Sequence, residues 1–271
     1  MITSTANESV KYVRSLHRRR TRYREQVFIV EGLRTIEEAI KAGVQPAFLF
    51  HTPAMLELPR ARLLVSQAET RGVQVKAVSE PVMAVMSDTV TPSGILAVLP
   101  MSEPSIPRPL TWALVVDRLR DPGNMGTILR SALAAGVELL ITTRGTVDVH
   151  SPKVVRAGMG AHFRLNLFLN QPWRMIEDTL AELHVLLAKP VEGSPYWGVD
   201  WRQPTALWIG GEAEGVSPEA ERLATGAVTI PMREDVESLN AAVAAGILLF
   251  EAARQRFHAG NDRHIPSPPK G

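Results

Sequence analysis

"WALVVDRLRDPGNMGTILRSALAAGVELLITT", residues 112–143, decides how the rest of the chain is read. It opens on an unbroken apolar run, "WALVVD", passes a turn made of Asp121, Pro122, Gly123 and Asn124, continues as an apolar helical pattern and closes on a second run, "ELLITT". Gly123 and Gly126 relieve the backbone where strand becomes helix, and Asn124 is placed to cap that helix. Positions 128, 129, 132, 133 and 137 carry its apolar face. Apolar runs without polar alternation fit strands buried on both faces, and a helix between two of them is the crossover that parallel pairing requires. Four later runs, "RLNLFL", "HVLLAKP", "TALWIGG" and "AVTIPM", repeat the pattern. The expected fold class is therefore α/β, with an open parallel sheet covered by helices.

Upstream, Pro100, Pro104, Pro107 and Pro109 crowd into a short stretch that can continue neither a helix nor a central strand, so residues 100–110 read as a linker. Before it, "VFIVEG", "AFLFH", "VQVKAVS" and "GILAVLP" alternate with the helical patterns "LRTIEEAIKAG" and "RARLLVSQAETRG". Residues 1–99 thus form a small α/β domain with a basic helix in front, and residues 111–258 a larger one. The polar tail, 259–271, holds three prolines and is expected to be disordered.

Composition narrows the chemistry. In 271 residues, 45% hydrophobic and 21% charged, there is no cysteine. That excludes disulfides, thiolate metal sites, iron–sulfur clusters and cysteine nucleophiles. The histidines show no paired ligand spacing, so no metal is expected. No apolar run reaches membrane length and no signal-peptide core is visible, which points to the cytoplasm and away from a membrane. Residues 1–34 carry eight basic side chains against three acids, an excess of +5 that leaves −3 for the rest of a chain of net charge +2. A basic cluster at one end of a near-neutral chain suits a polyanion, nucleic acid foremost, or else a solvated helix face.

In open parallel sheets ligands bind beyond the carboxyl ends of the strands, so the loops after the apolar runs are where function is sought. In the first, Arg130 stands beside the apolar face. Counted from a helix start near Asn124, it falls in the N-terminal half, where the helix dipole disfavours a cation by about 0.3 to 1 kcal/mol, so an anionic partner is expected. The second, "WIGGEAEGVSPE" (208–219), ends a strand with Gly210 and Gly211 and starts a helix with Ser217 as cap and Pro218 in its first position. It matches neither the dinucleotide fingerprint nor a P-loop, and Glu212 and Glu214 would repel phosphates. A phosphate-free, positively charged ligand fits better. In the third, after "AVTIPM", Ser238 is expected to cap a long Ala-rich helix reaching about Phe257, with Asn240 an amide near its start. Its small side chains suit a core or a dimer interface. Singly, each loop also reads as an ordinary strand-to-helix connection.

Together, in this order and spacing, "DPGNMGTILRSALAAG", "IGGEAEGVS" and "IPMREDVESLNAAVAAGILLFEAARQR" resemble the three motifs of the SpoU/TrmH family of RNA 2′-O-ribose methyltransferases. The N-terminal part is similar to the ribosomal-protein-like substrate-binding domain that many members carry. The resemblance implies a deep C-terminal trefoil knot, S-adenosylmethionine as cofactor, a homodimer formed through the knotted domain, and RNA, most plausibly large-subunit (23S) ribosomal RNA, as substrate. It places Arg130, Asn124, Glu212, Ser238 and Asn240 at the catalytic positions, and Gly210, Gly211, Ile230, Met232 and Leu239 around the cofactor. Lys11, Arg14, Arg18, Arg19 and Arg20, on the first helical stretch and its exit, are the expected RNA phosphate contacts, joined by Lys153 and Arg156 near a strand end of the second domain. The family view has Arg130 activate the ribose hydroxyl; an always-protonated guanidinium is better suited to clamping a phosphate. Transfer RNA as substrate, a non-catalytic ribosome-associated RNA-binding protein and a nucleotide-dependent oxidoreductase remain the alternatives, the last opposed by the missing glycine fingerprint.

Overall fold

The computed structural model describes residues 1–212 and 215–259. Glu214 and all of the expected tail beyond Ala259 lie outside them. From the N-terminus the elements are α1 (Glu8–Ser15), α2 (Arg19–Glu25), β1 (Val27–Glu31), α3 (Leu33–Lys41), β2 (Phe48–His51), α4 (Pro59–Thr70), β3 (Gln74–Ala77), α5 (Glu80–Met86) and β4 (Ile95–Pro100). Then follow β5 (Trp112–Asp117), α6 (Pro122–Ala134), β6 (Leu139–Thr143), α7 (Pro152–Gly158), β7 (Asn166–Gln171), α8 (Trp173–Leu180), β8 (His184–Ala188), β9 (Ser194–Pro195), β10 (Thr205–Gly210), α9 (Pro218–Leu223), β11 (Gly226–Thr229) and α10 (Ala241–Ala259). Every apolar run singled out in the sequence is a strand; only the two-residue β9 had no such signal.

The chain divides into two compact units, Met1–Glu103 with Asp148–Arg164, and Pro104–Val147 with the chain from Leu165 onward. The break at 103/104 falls inside the proline-rich stretch. The segment 148–164, expected in the second domain, belongs to the first unit instead.

The first unit is built on a four-stranded sheet of order β1-β4-β2-β3, in which β4 runs antiparallel to both neighbours and β2 parallel to β3. Alternation along β1 sorts its side chains. Phe28 and Val30 join a core with Ile36, Leu49, Leu64, Ile95 and, from the 148–164 segment, Val155, whereas Ile29 joins Val10, Val13, Phe50, Val82, Met83 and Leu96 on the opposite face. Helices thus cover both faces. A buried charge ties the inserted segment in place: the Arg22 guanidinium pairs with Asp148 and also donates to the carbonyls of Leu16 at 2.6 Å and His17 at 2.8 Å. Asp148 further accepts from the Tyr23 hydroxyl at 3.1 Å and the His150 amide at 3.0 Å. Arg22, counted in the basic excess, is therefore part of the core.

The second unit carries a seven-stranded, wholly parallel sheet of order β7-β6-β5-β10-β8-β11-β9. Ala113, Val115, Ile141 and Trp208 pack with Ile176 and Leu180 of α8 on one face, while α6 and α10 pack on each other, each burying apolar residues such as Ile128 and Leu129 of α6 and Leu248 and Leu249 of α10. Among the described residues no helix is long and apolar enough to cross a membrane.

Candidate active site

β5 and β10 are adjacent, with Asp117 and Gly210 as register partners at their carboxyl ends. From β5 the chain builds β6 and β7 to one side, while β10, β8 and β11 lie to the other, so this is the switch point where such sheets bind ligands. A cavity of about 480 Å³ opens there. Its wall includes Gly210, Gly211, Ile230, Met232 and Leu239, all five residues expected around a cofactor, together with Glu212, Ser238 and Asn240. The glycines are required by close approach: a Cβ on Gly210 would lie 2.3 Å from the Gly215 carbonyl carbon, and one on Gly211 would lie 2.6 Å from the Arg118 carbonyl oxygen.

Across the mouth of this turn runs a directed chain of side-chain hydrogen bonds. Asn240 Oδ1 accepts from the amides of Ala242 at 2.9 Å and Val243 at 3.2 Å. Its Nδ2 is then left to donate to Asn124 Oδ1 at 3.0 Å, and Asn124 Nδ2 donates in turn to Glu212 Oε1 at 2.7 Å. The orientation of both amides is settled by the ends of the chain, a helix N-terminus that needs an acceptor and a carboxylate that can only accept.

Two expected caps are corrected by this arrangement. Asp121, not Asn124, caps α6, its carboxylate accepting from the Asn124 amide at 2.7 Å. Asn240, not Ser238, caps α10, which starts at Ala241. In both cases the helix chose the side chain adjoining its own first residue, leaving Asn124 free to reach across to the other loops. Ser217 does cap α9, accepting from the Ala220 amide at 3.3 Å, with Pro218 in the first position.

The helix start also changes the argument for Arg130. Because α6 begins at Pro122, Arg130 lies in its C-terminal half, where the dipole does not disfavour a cation. What remains is its exposure: it lies outside the cavity wall, and its side chain makes no hydrogen bond or ion pair among the described residues. Arg130 is thus an exposed cation on the helix whose first turn carries Asn124.

Of the expected phosphate contacts, Lys11 and Arg14 are exposed on α1, and Arg18, Arg19 and Arg20 are exposed at and within the start of α2. Lys11 pairs with Glu8 at 2.8 Å, and the Arg19 guanidinium lies 5.3 Å from the Tyr23 ring centre. Lys153 is exposed on α7, but Arg156 is engaged by Asp88, and both belong to the first unit rather than to the second domain. Sequence reasoning missed Lys189, which lines the cavity, and Asp117, a wholly buried acid closing an otherwise apolar strand. That charge at the end of "WALVVD" was the available signal.

Residues 111–250 match the model of the SpoU rRNA Methylase family, and residues 7–97 that of the MRM3-like substrate binding domain. Among relatives, the 23S rRNA (guanosine(2553)-2′-O)-methyltransferase RlmP of Bacillus subtilis (strain 168) is 30% identical, over 92% of this chain and 97% of that protein. The mitochondrial rRNA methyltransferase 3 of Homo sapiens is 34% identical, over 86% of this chain and 69% of its own length. A crystal structure of an AdoMet-bound rRNA methyltransferase from Sinorhizobium meliloti superposes with a TM-score of 0.82 at 30% identity, covering 93% of this chain and 97% of that one.

Proposed function

The chain belongs to the SpoU rRNA methylase family, and from that premise we propose that it methylates a ribose 2′-hydroxyl of ribosomal RNA, in the large subunit, with S-adenosylmethionine as methyl donor. The observation that carries this reading is the cavity walled by the second and third loops and tied to the first through the Asn240–Asn124–Glu212 chain. The residues suit the donor. The glycine-lined turn admits a ligand against bare backbone, Ile230, Leu239, Ala244 and Leu248 offer apolar contact, and Glu212 is an acid where a phosphate would be repelled and a sulfonium accepted. S-adenosylmethionine supplies an electrophilic methyl group for in-line attack by the ribose oxygen.

The protein's part is positioning and charge. Arg130 has five donors and no acceptor, so its role is to hold an RNA phosphate and stabilise the oxyanion that develops at the 2′-oxygen. Asn124 and Asn240, locked by their hydrogen bonds, align the ribose against the cavity, and Ser238 lies on its wall. The first unit would deliver the RNA through Lys11, Arg14, Arg18, Arg19, Arg20 and Lys153. Val243, Phe250 and Phe257 recur every seven residues on one side of α10, each about half exposed, and this stripe supports the homodimer. The knot implied by the resemblance and a cytoplasmic location belong to the same proposal.

The test is direct. Titration calorimetry with S-adenosylmethionine should show binding, and ribosomal RNA from cells lacking the gene should lose a 2′-O-methyl group that returns on complementation. No cofactor binding, or no lost site, would sink the reading. Arg130→Ala and Arg130→Lys should bind the cofactor and lose RNA methylation by at least about a hundredfold; full activity in either would remove Arg130 from its role.

A further inference from the structure

Asp117 is wholly buried, and its carboxylate is held by neutral donors that belong to different loops. Oδ2 accepts from the Ser217 backbone amide at 2.9 Å, where the glycine-rich turn ends and α9 begins. Oδ1 accepts from the Thr143 hydroxyl at 2.7 Å, at the end of β6. Arg118 Nε, 3.7 Å from Oδ1, adds an ion pair but is too far for a hydrogen bond. The Thr143 oxygen in turn accepts from the Arg118 amide at 3.2 Å, which also donates to Thr146 Oγ1 at 3.0 Å. Arg118 needs that hold, because its φ of 53° puts a non-glycine residue in the left-handed region as the chain turns from β5 toward α6. Its carbonyl is the group against which Gly211 is pressed. The carboxylate therefore sits beneath two walls of the site: the turn that carries Glu212 and the bend that leads to Asn124.

Resting on the methyltransferase reading of the cavity, we infer that Asp117 is a positioning residue that sets the shape of the cofactor site by fixing Ser217, and through it Gly215 with its bridge to Gly211, to the end of β5. It touches neither cofactor nor RNA. A buried carboxylate suits the task because it accepts from several donors at once, whereas an alkyl group there would leave the Ser217 amide unsatisfied away from water and the Thr143 hydroxyl with only the longer contact to Thr146 at 3.4 Å. With the amide of Ser217 unheld, the turn would relax and the glycine backbone that meets the cofactor would shift.

The experiment compares Asp117→Ala, Asp117→Asn and Thr143→Val in the full-length protein, reading cofactor affinity by calorimetry, RNA affinity by filter binding, and the KM for each substrate. Asp117→Ala should weaken cofactor binding by about tenfold or more, raise the KM for the cofactor, and leave RNA affinity and the KM for RNA unchanged. Asp117→Asn should recover most of the loss, since its amide oxygen can accept from Ser217 while its NH2 donates to Thr143. Thr143→Val, which removes one donor to Asp117 and one of the two acceptors of the Arg118 amide but keeps the Ser217 bond, should cost about threefold in cofactor affinity, and decides the matter if Asp117→Ala does not fold. Wild-type cofactor affinity in a folded Asp117→Ala or in Thr143→Val overturns the inference, as does an equal loss of RNA affinity. Absence of cofactor binding by the unaltered chain is a different result, which overturns the reading of the cavity itself.

Discussion

The two units bury charge in different ways. In the first, Arg22 meets Asp148, an opposite charge brought in from the segment between β6 and β7, and the pair is closed off by two carbonyls, a tyrosine hydroxyl and an amide. In the second, Asp117 is hydrogen-bonded by neutral donors at the ends of neighbouring elements, with the guanidinium of its own chain neighbour Arg118 at the longer distance of 3.7 Å. The first arrangement makes a distant stretch of chain indispensable to a core; the second sets the geometry of a surface cavity. Breaking each should therefore disturb a different property, folding in one and ligand affinity in the other.

The largest effect is expected at the ion pair. Asp148→Ala leaves a guanidinium buried without its partner, which costs about 3 to 5 kcal/mol. Chemical denaturation should show the first unit destabilised and RNA binding abolished, while cofactor binding by the second unit persists; an unchanged unfolding transition would refute a structural role for the pair. Replacing both partners, Arg22→Met with Asp148→Leu, should return much of the stability, because the desolvation penalty disappears with the charges.

The response to acid separates the units again. Burial depresses His150 to about 3 and His162 to about 4, His150 being lowered further by its neighbour His162 and opposed by Asp148. Their rings lie 6.0 Å apart and both pack on Phe28. An unfolded histidine takes a proton near pH 6.5 and these native ones do not, so the stability they confer is complete above that pH and is lost as pH falls toward their native values. The slope is about 1.4 kcal/mol per pH unit for each histidine. Denaturant midpoints of the first unit should fall between pH 6.5 and 4, and His162→Phe should flatten the fall; an equal slope in that variant would refute the assignment.

The same contrast explains what could be read in advance. Strands buried on both faces announce themselves as apolar runs, so the sheets were legible. The apolar runs also marked the three loops that follow them as places for a site, and it was the resemblance of those loops to the family motifs that put Asn124, Glu212 and Asn240 together. Partnerships were not legible. Arg22 looks like the arginines around it, and only the return of residues 148–164 to the first sheet shows that it faces Asp148. The caps were misplaced by a few residues because Asp121, Asn124, Ser238 and Asn240 are all competent acceptors. Which one serves depends on where the helix begins, and four neighbouring acceptors do not fix that point.

Smaller effects test whether the exposed polar chain behaves like the buried node. Asn240→Ala removes the α10 cap, worth about 1 kcal/mol, and frees Asn124 to lose its fixed orientation. The expected signature is a modest drop in unfolding stability with a larger drop in turnover at saturating cofactor; if stability falls and turnover does not, the side chain is a cap and nothing more. Smallest of all should be the stability change on Lys11→Ala. Its ion pair with Glu8 is exposed on both sides, and such pairs contribute about 0 to 1 kcal/mol. The reason to make the variant is that stability and RNA affinity should part company. Removing a phosphate-binding ammonium from α1 weakens RNA binding and lowers the slope of log affinity against log salt by the share of one neutralised phosphate, roughly 0.7 to 0.9. An unchanged salt slope would mean that Lys11 belongs to a solvated helix face, and that delivery of RNA falls to the arginines of α2.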